Sequence, residues 1–72
     1  MKAIQGFQIE DIDGCEFVQS TNIGKLMISH HQDFDGYYTG MIHVIYPDAS
    51  HEAITREESQ SMLDSGEWLV VR

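Results

Sequence analysis

The sequence is poor in cysteine, proline and basic residues. Its 72 residues include one cysteine, one proline and only 4 lysines plus arginines. A single cysteine cannot form an internal disulfide, which excludes the disulfide-stabilised class of small secreted proteins. Because phosphate backbones are bound by neutralising cations, so few of them argue against direct nucleic-acid binding.

Long apolar segments are also missing. No run approaches the ~18 consecutive apolar residues of a membrane span, and the first residues lack the apolar stretch of a signal peptide. We therefore expect no membrane contact and a cytoplasmic location.

Acidic residues dominate what is present. The 12 aspartates plus glutamates give a net charge of −8, while 42% hydrophobic residues is typical of a folded protein. A chain of this length makes one domain, residues 1–72. Repulsion within so acidic a chain opposes compaction, and a dimer or a basic partner would relieve part of that cost.

The hydrophobic pattern predicts an α+β fold, with an antiparallel sheet of about five strands and one helix packed on one face. Candidate strands cover residues 3–9, 15–19, 26–31, 37–46, 51–54 and 67–71. Residues 37–46 are apolar on both faces, so we expect them in the centre of the sheet, and 51–54 at an edge. Asp-Gly pairs predict tight hairpin turns at residues 10–14 and 33–36.

The helix has clear end signals. Thr55 is a suitable N-cap, and Glu58, three residues later, completes a capping box. Gly66 is placed to end the helix at Ser65. Met62 and Leu63 form its inward face, through which so short a helix must dock on the sheet.

Two patterns in the sequence resemble parts of metal-binding sites. The segments Asp11–Gly14 and Asp33–Gly36 resemble the start of a calcium loop, but glycine falls at position four, whereas an EF-hand needs it at position six. Alternation along strands brings His31 near His43, but the chain has no closely spaced ligand pair. We predict no metal and no cofactor. Whether the histidines bind metal or change charge near neutral pH stays open.

Catalytic motifs are absent from the sequence. It has no Gly-rich phosphate loop. Cys15 lies beside Glu16, which disfavours the reactive thiolate. We therefore predict that the protein is not an enzyme.

Clustered carboxylates are the candidate binding residues. Spaced along turns and strands, they offer negative charge to a basic protein surface, such as that of a nucleic-acid-binding protein or complex. The candidates for partner binding are Glu10, Asp11, Asp13, Glu16, Asp33, Asp35, Glu57 and Glu58. Two aromatic residues beside a turn, Phe34 and Tyr37, are candidates for an interface. The identity of the partner and the cluster that contacts it stay open.

The small size, the acidity and the ending Gly66-Glu67-Trp68-Leu69-Val70 resemble small phage-encoded inhibitors of bacterial defence, of the anti-CRISPR or DNA-mimic type. The resemblance implies a non-enzymatic inhibitor that occupies the nucleic-acid-binding groove of a protein in the cytoplasm of a bacterial host. It implies no particular binding residue, since no motif aligns beyond that ending.

Two other functions stay open. The chain is alternatively a small structural or accessory protein that acts through homodimerisation or an aromatic interface. The third hypothesis is a metal-binding or histidine-based enzyme. High salt releases a basic partner but preserves a dimer, and a chelator destabilises a metal site, so simple experiments separate the three.

Overall fold

A computed structural model of the chain describes residues 3–72 and shows an antiparallel sheet of six strands with one helix. The elements in chain order are β1 (Ala3–Ile4), a 3-10 turn (Ile9–Asp11), β2 (Cys15–Ser20), β3 (Gly24–Gln32), β4 (Tyr38–Ile45), β5 (His51–Ile54), α1 (Arg56–Asp64) and β6 (Trp68–Val71). This is the predicted α+β class, with a slightly higher strand count. The first two residues of the predicted domain, Met1 and Lys2, lie outside the described residues.

The strand order is β1-β6-β2-β3-β4-β5, with every neighbouring pair antiparallel. Strands β2 to β5 follow one another as a meander. Helix α1 then carries the chain back across the sheet, touching β4 and β6, and β6 enters between β1 and β2. Strand β5 is an edge strand, as predicted. Strand β4 lies inside the sheet, next to that edge.

One face of the sheet, which we call the covered face, packs under α1. Its core side chains are aliphatic because alternate residues of each strand point to the same side. The most buried of them are Val18, Leu26, Ile28, Ile42, Val44 and Val70. Leu63 of the helix and Trp68 complete this core. The helix has nine residues, and residues 3–72 hold no helix with the length and apolar character to cross a bilayer.

The opposite face has no helix over it, and we call it the open face. Its members are the alternate strand residues that the cross-strand register sets beside one another. They are Ala3, Cys15, Phe17, Gln19, Lys25, Met27, Ser29, His31, His43, Ile45, His51, Ala53, Leu69 and Val71.

The helix begins and ends as predicted. The hydroxyl of Thr55 accepts the backbone N–H of Glu58 at 3.0 Å and donates to the Glu58 carboxylate at 3.2 Å. Glu58 therefore reaches back to the capping hydroxyl, whereas a standard capping box reaches the backbone N–H of the cap. At the other end Gly66 adopts a φ of 81°, the left-handed conformation that glycine tolerates best.

The N-terminal segment differs from the prediction. Strand β1 stops at Ile4 because Gly6 turns the chain with a φ of 72°. The side chain of Gln60 on α1 then accepts from the N–H of Ile9 at 2.9 Å and donates to the carbonyl of Phe7 at 3.1 Å. The segment is thus held against the helix rather than in the sheet. The predicted first hairpin is wrong, since β1 pairs with β6 and not with β2.

Candidate binding surfaces

All twelve carboxylates lie away from the open face. Only two of them are on strands, Glu16 and Glu52, and both side chains point to the covered side, since Glu16 is buried and Glu52 pairs with Val44. The other ten lie on the helix, the 3-10 turn and the loops. The net charge of −8 is therefore carried by the helix side of the molecule and by the ends and edges of the sheet.

The turn between β3 and β4, residues 33–37, is fixed by one carboxylate. We call it the hairpin tip. One oxygen of Asp33 accepts the N–H groups of Asp35 and Tyr37, each at 2.9 Å. The backbone N–H of Asp33 donates to the Tyr37 carbonyl at 2.8 Å, and Gly36 takes the positive φ of 88° that closes the turn. The backbone at the tip is therefore held in one conformation before any partner arrives.

Aromatic side chains project from this tip. Phe34 has 104% relative exposure, and Tyr37 and Tyr38 each have 72%. Phe34 and Tyr37 thus lie outside the core, whereas Trp68 lies within it. Aromatic side chains are among the residues that anchor protein interfaces, so these three are candidate contact residues. The candidate aromatics and two candidate carboxylates, Asp33 and Asp35, are brought together here.

The other predicted carboxylates are more scattered. Glu10 lies 3.6 Å from Arg56 at the start of α1, with both side chains exposed. Asp11 and Asp13 are exposed in the loop before β2, and Glu57 is exposed in the first turn of the helix. These residues share the helix side of the molecule but form no common site with the hairpin tip.

Glu16 does not fit a partner contact. It is only 7% exposed, and its two oxygens accept from Nε of Arg72 at 2.8 Å and from Nη2 at 3.0 Å. The hydrogen bond to Glu16 raises the pKa of Arg72 above its ordinary value, with the charges of Glu16 and Asp13 adding to the effect. The Arg72 guanidinium also lies 5.4 Å from the ring centroid of Phe7. Glu16 therefore belongs to an internal ion pair that ties β2 to the end of β6.

A cleft of about 490 Å³ opens between α1 and strand β5, and its lining also includes Tyr46, which follows β4, and Trp68 of β6. Its lining includes three carboxylates over an apolar floor: Glu52, Glu57 and Glu58 with Ile54, Met62 and Trp68. The Tyr46 hydroxyl donates to the Glu52 carboxylate, and this bond raises the pKa of Tyr46 to about 12. Sequence reasoning did not select Glu52 as a site residue, although its parity with Ile54 on β5 places it on the helix side.

Three histidines meet on the open face. Nε2 of His43 lies 3.2 Å from Nδ1 of His51, and the rings of His31 and His43 have centroids 5.9 Å apart. The predicted proximity of His31 and His43 is thus observed. Partial burial, followed by the charges of His51 and His31, lowers the pKa of His43 below its ordinary value.

Within residues 3–72 no group of three or more histidine, cysteine, aspartate or glutamate side chains is arranged to hold a metal ion. His30 points to the other side of β3, where its ring meets Tyr38 edge-on at 6.1 Å. The histidine cluster therefore consists of His31, His43 and His51, and His30 is not part of it.

Comparisons of the chain with family models, with curated proteins and with solved structures find no match. Two surfaces of the molecule are the candidate binding sites. One is the acidic helix side with the hairpin tip, and the other is the open face with its histidines.

Proposed function

We propose that this protein is a non-enzymatic binding protein of the cytoplasm that attaches to a basic surface of a nucleic-acid-binding protein. By covering that surface it acts as an inhibitor of the anti-CRISPR or DNA-mimic type. The observation that carries the proposal is the hairpin tip, where fully exposed Phe34 stands on a turn that Asp33 holds rigid.

Uncompensated negative charge supports a basic partner. Among residues 3–72 the ion pairs are Glu10–Arg56 and Glu16–Arg72. Apart from Asp13, whose charge acts on Arg72, the remaining carboxylates have no ion pair among residues 3–72, so their field extends outward for about a Debye length, ~8 Å at physiological salt. Such a field raises the association rate with a basic surface and selects against acidic ones.

The hairpin tip supplies what charge alone does not, which is a defined point of contact. Binding energy in protein interfaces concentrates in a few aromatic or arginine anchors that fill pockets. Because the backbone at the tip is already fixed, placing Phe34 in a pocket costs little additional ordering. The complementary partner surface is an apolar pocket whose rim carries lysine or arginine beside the position of Asp35.

The proposal is tested by capture from bacterial lysate with the tagged protein, washed at low and at high salt, and by mass spectrometry of the bound proteins. The wild type is expected to retain a nucleic-acid-binding protein at low salt and to release it at high salt. Phe34→Ala and Asp35→Lys should each lower the retained amount at low salt. Asp33 is left intact because its substitution would also release the turn.

Asp64→Lys is the matched control for Asp35→Lys. It makes the same change of charge at the C-terminal end of α1, where a lysine suits the helix dipole. It also removes the hydrogen bond that Asp64 accepts from Gln60 at 3.0 Å, so circular dichroism is used to confirm that this variant is folded. Capture equal to the wild type is expected for Asp64→Lys. If Asp35→Lys and Asp64→Lys lower the retained amount equally, the interaction depends on net charge alone and not on the hairpin tip. If the wild type retains no specific protein at either salt concentration, the proposal is overturned.

A further inference from the structure

The open face is the one side of the sheet on which the chain places no carboxylate. Its ionisable groups among the described residues are Lys25, Cys15 and the three clustered histidines. The acidic character of the chain therefore stops at the plane of the sheet. A basic partner would find no opposite charge on this face, so its occupant must be chosen on other grounds.

An apolar row crosses the middle of this face. Phe17 lies opposite Val71 on one side and Met27 on the other, and Met27 lies opposite Ile45. The row thus runs without a break over the four strands β6, β2, β3 and β4. Phe17 is 53% exposed at its centre, which leaves a large apolar side chain in water on a face that no element among residues 3–72 covers.

We propose that a second copy of this chain covers the open face, so that two molecules pack sheet to sheet about a two-fold axis near Phe17 and Met27. A two-fold contact is self-complementary, so the same apolar row would meet itself. Stacked sheets pack about 10 Å apart, which lets such side chains interdigitate.

Charge decides which face two copies of this chain can share. Two molecules of charge −8 repel one another, and contact through the helix side or the hairpin tip would set carboxylates against carboxylates. Contact through the open faces keeps all twelve carboxylates outside the interface. It also leaves the hairpin tip exposed, so this dimer is independent of the proposed binding function and compatible with it.

The size of the face agrees with a stable dimer. Six strands about 4.8 Å apart span ~24 Å between the edge strands, in accord with the molecular dimensions of 34 × 25 × 20 Å. A rectangle with the two longer molecular dimensions has an area of about 850 Å², an upper bound for the open face that is of the same order as the ~800 Å² each partner contributes to a standard interface.

Sedimentation equilibrium from micromolar to submillimolar concentration tests the proposal. The wild type should approach twice its monomer mass of 8.2 kDa. Phe17→Asp should weaken dimerisation roughly thirtyfold or more, as expected for loss of a central anchor. Phe34→Asp is the matched control, with the same change made at the hairpin tip, and it should dimerise like the wild type.

Circular dichroism confirms that each variant is folded, and Phe17→Gln replaces Phe17→Asp if the charged variant does not fold. A wild type that stays monomeric throughout overturns the proposal. A dimer that both Phe17 variants leave intact overturns the assignment of the face.

Salt separates this proposal from the binding function. Added salt screens the repulsion between two acidic copies, so the dimer should tighten as the ionic strength rises. Capture of a basic partner should weaken over the same range. A dimer that dissociates in high salt would contradict packing through the open face, whatever the result of the capture experiment.

Discussion

The two faces of the sheet are formed by the same strands but carry different kinds of side chain. The covered face excludes water, and its one buried carboxylate, Glu16, is matched by Arg72. The open face excludes carboxylates but leaves Phe17 half exposed. A net charge of −8 is therefore not spread over the molecule. It is carried by the helix side and by the ends and edges of the sheet, while the open face is nearly neutral and partly apolar.

Strand β3 shows how alternation produces the difference. Leu26 and Ile28 point into the core, while Met27 and Ser29, which alternate with them, point to the open face. The inward residues are aliphatic and almost wholly buried. Met27 is flexible and Ser29 is small, and such side chains suit a contact surface between molecules better than a closely packed core.

The largest expected effect is on the free energy of unfolding, when two adjacent residues of β3 that point to opposite faces are each replaced by alanine. Ile28→Ala removes a fully buried side chain and should lower the free energy of unfolding by about 2–5 kcal/mol, because it leaves a cavity. Met27→Ala, on the open face, should cost the monomer less than about 1 kcal/mol. Urea denaturation at low protein concentration, where the monomer prevails, measures both.

The two substitutions control for each other, since both shorten an apolar side chain on the same strand. Equal losses of stability would mean that the open face is part of the monomer's core. Repeating the Met27→Ala measurement at high concentration sharpens the comparison, because the loss should grow once dimers stabilise the wild type by mass action.

An intermediate effect is expected at the ion pair between buried Glu16 and half-exposed Arg72. Arg72→Met leaves Glu16 buried without its donors and should cost about 1–3 kcal/mol in the free energy of unfolding. The double variant Glu16→Gln with Arg72→Met should recover part of that loss, because no charge is then buried. A double-mutant cycle from urea denaturation gives the coupling. Additive losses would show that the pair contributes nothing of its own.

Local chemistry explains the parts of the fold that the sequence predicts. Helix α1 follows from the Thr55 cap and Gly66, and β5 is found at residues 51–54 as expected. The exposure of Phe34 and Tyr37 follows from their place in an Asp-Gly turn. Each of these features depends on residues within a few positions of one another.

Long-range contacts explain what the sequence does not predict. Nothing near β6 indicates that it enters between β1 and β2. The hydrogen bonds that Gln60 accepts from Ile9 and donates to Phe7 join residues more than fifty positions apart. Glu16 looks like one more member of an acidic cluster until Arg72 is placed beside it. The acid-free face likewise emerges only when the parity of every strand is known.

The smallest of the effects is a dependence on pH that arises on the open face alone. Burial and the charges of His51 and His31 lower the pKa of His43 from its ordinary 6.5. The folded protein therefore binds its proton less readily than the unfolded chain does. This gives no cost above pH 6.5 and a loss of stability as the pH falls from 6.5 through the lowered pKa.

His43→Asn should reduce that loss, and melting temperatures of dilute protein from neutral pH down to about pH 5 measure it, above the usual range of carboxylate titration. The control is His30→Asn, which removes a histidine from the other side of β3 and leaves the cluster intact. The control should keep the contribution of the cluster to the loss in acid. A His43→Asn protein that loses stability in acid as steeply as the wild type would show that the acid-sensitive groups lie on the acidic side, and the two faces would then differ in charge but not in their response to pH.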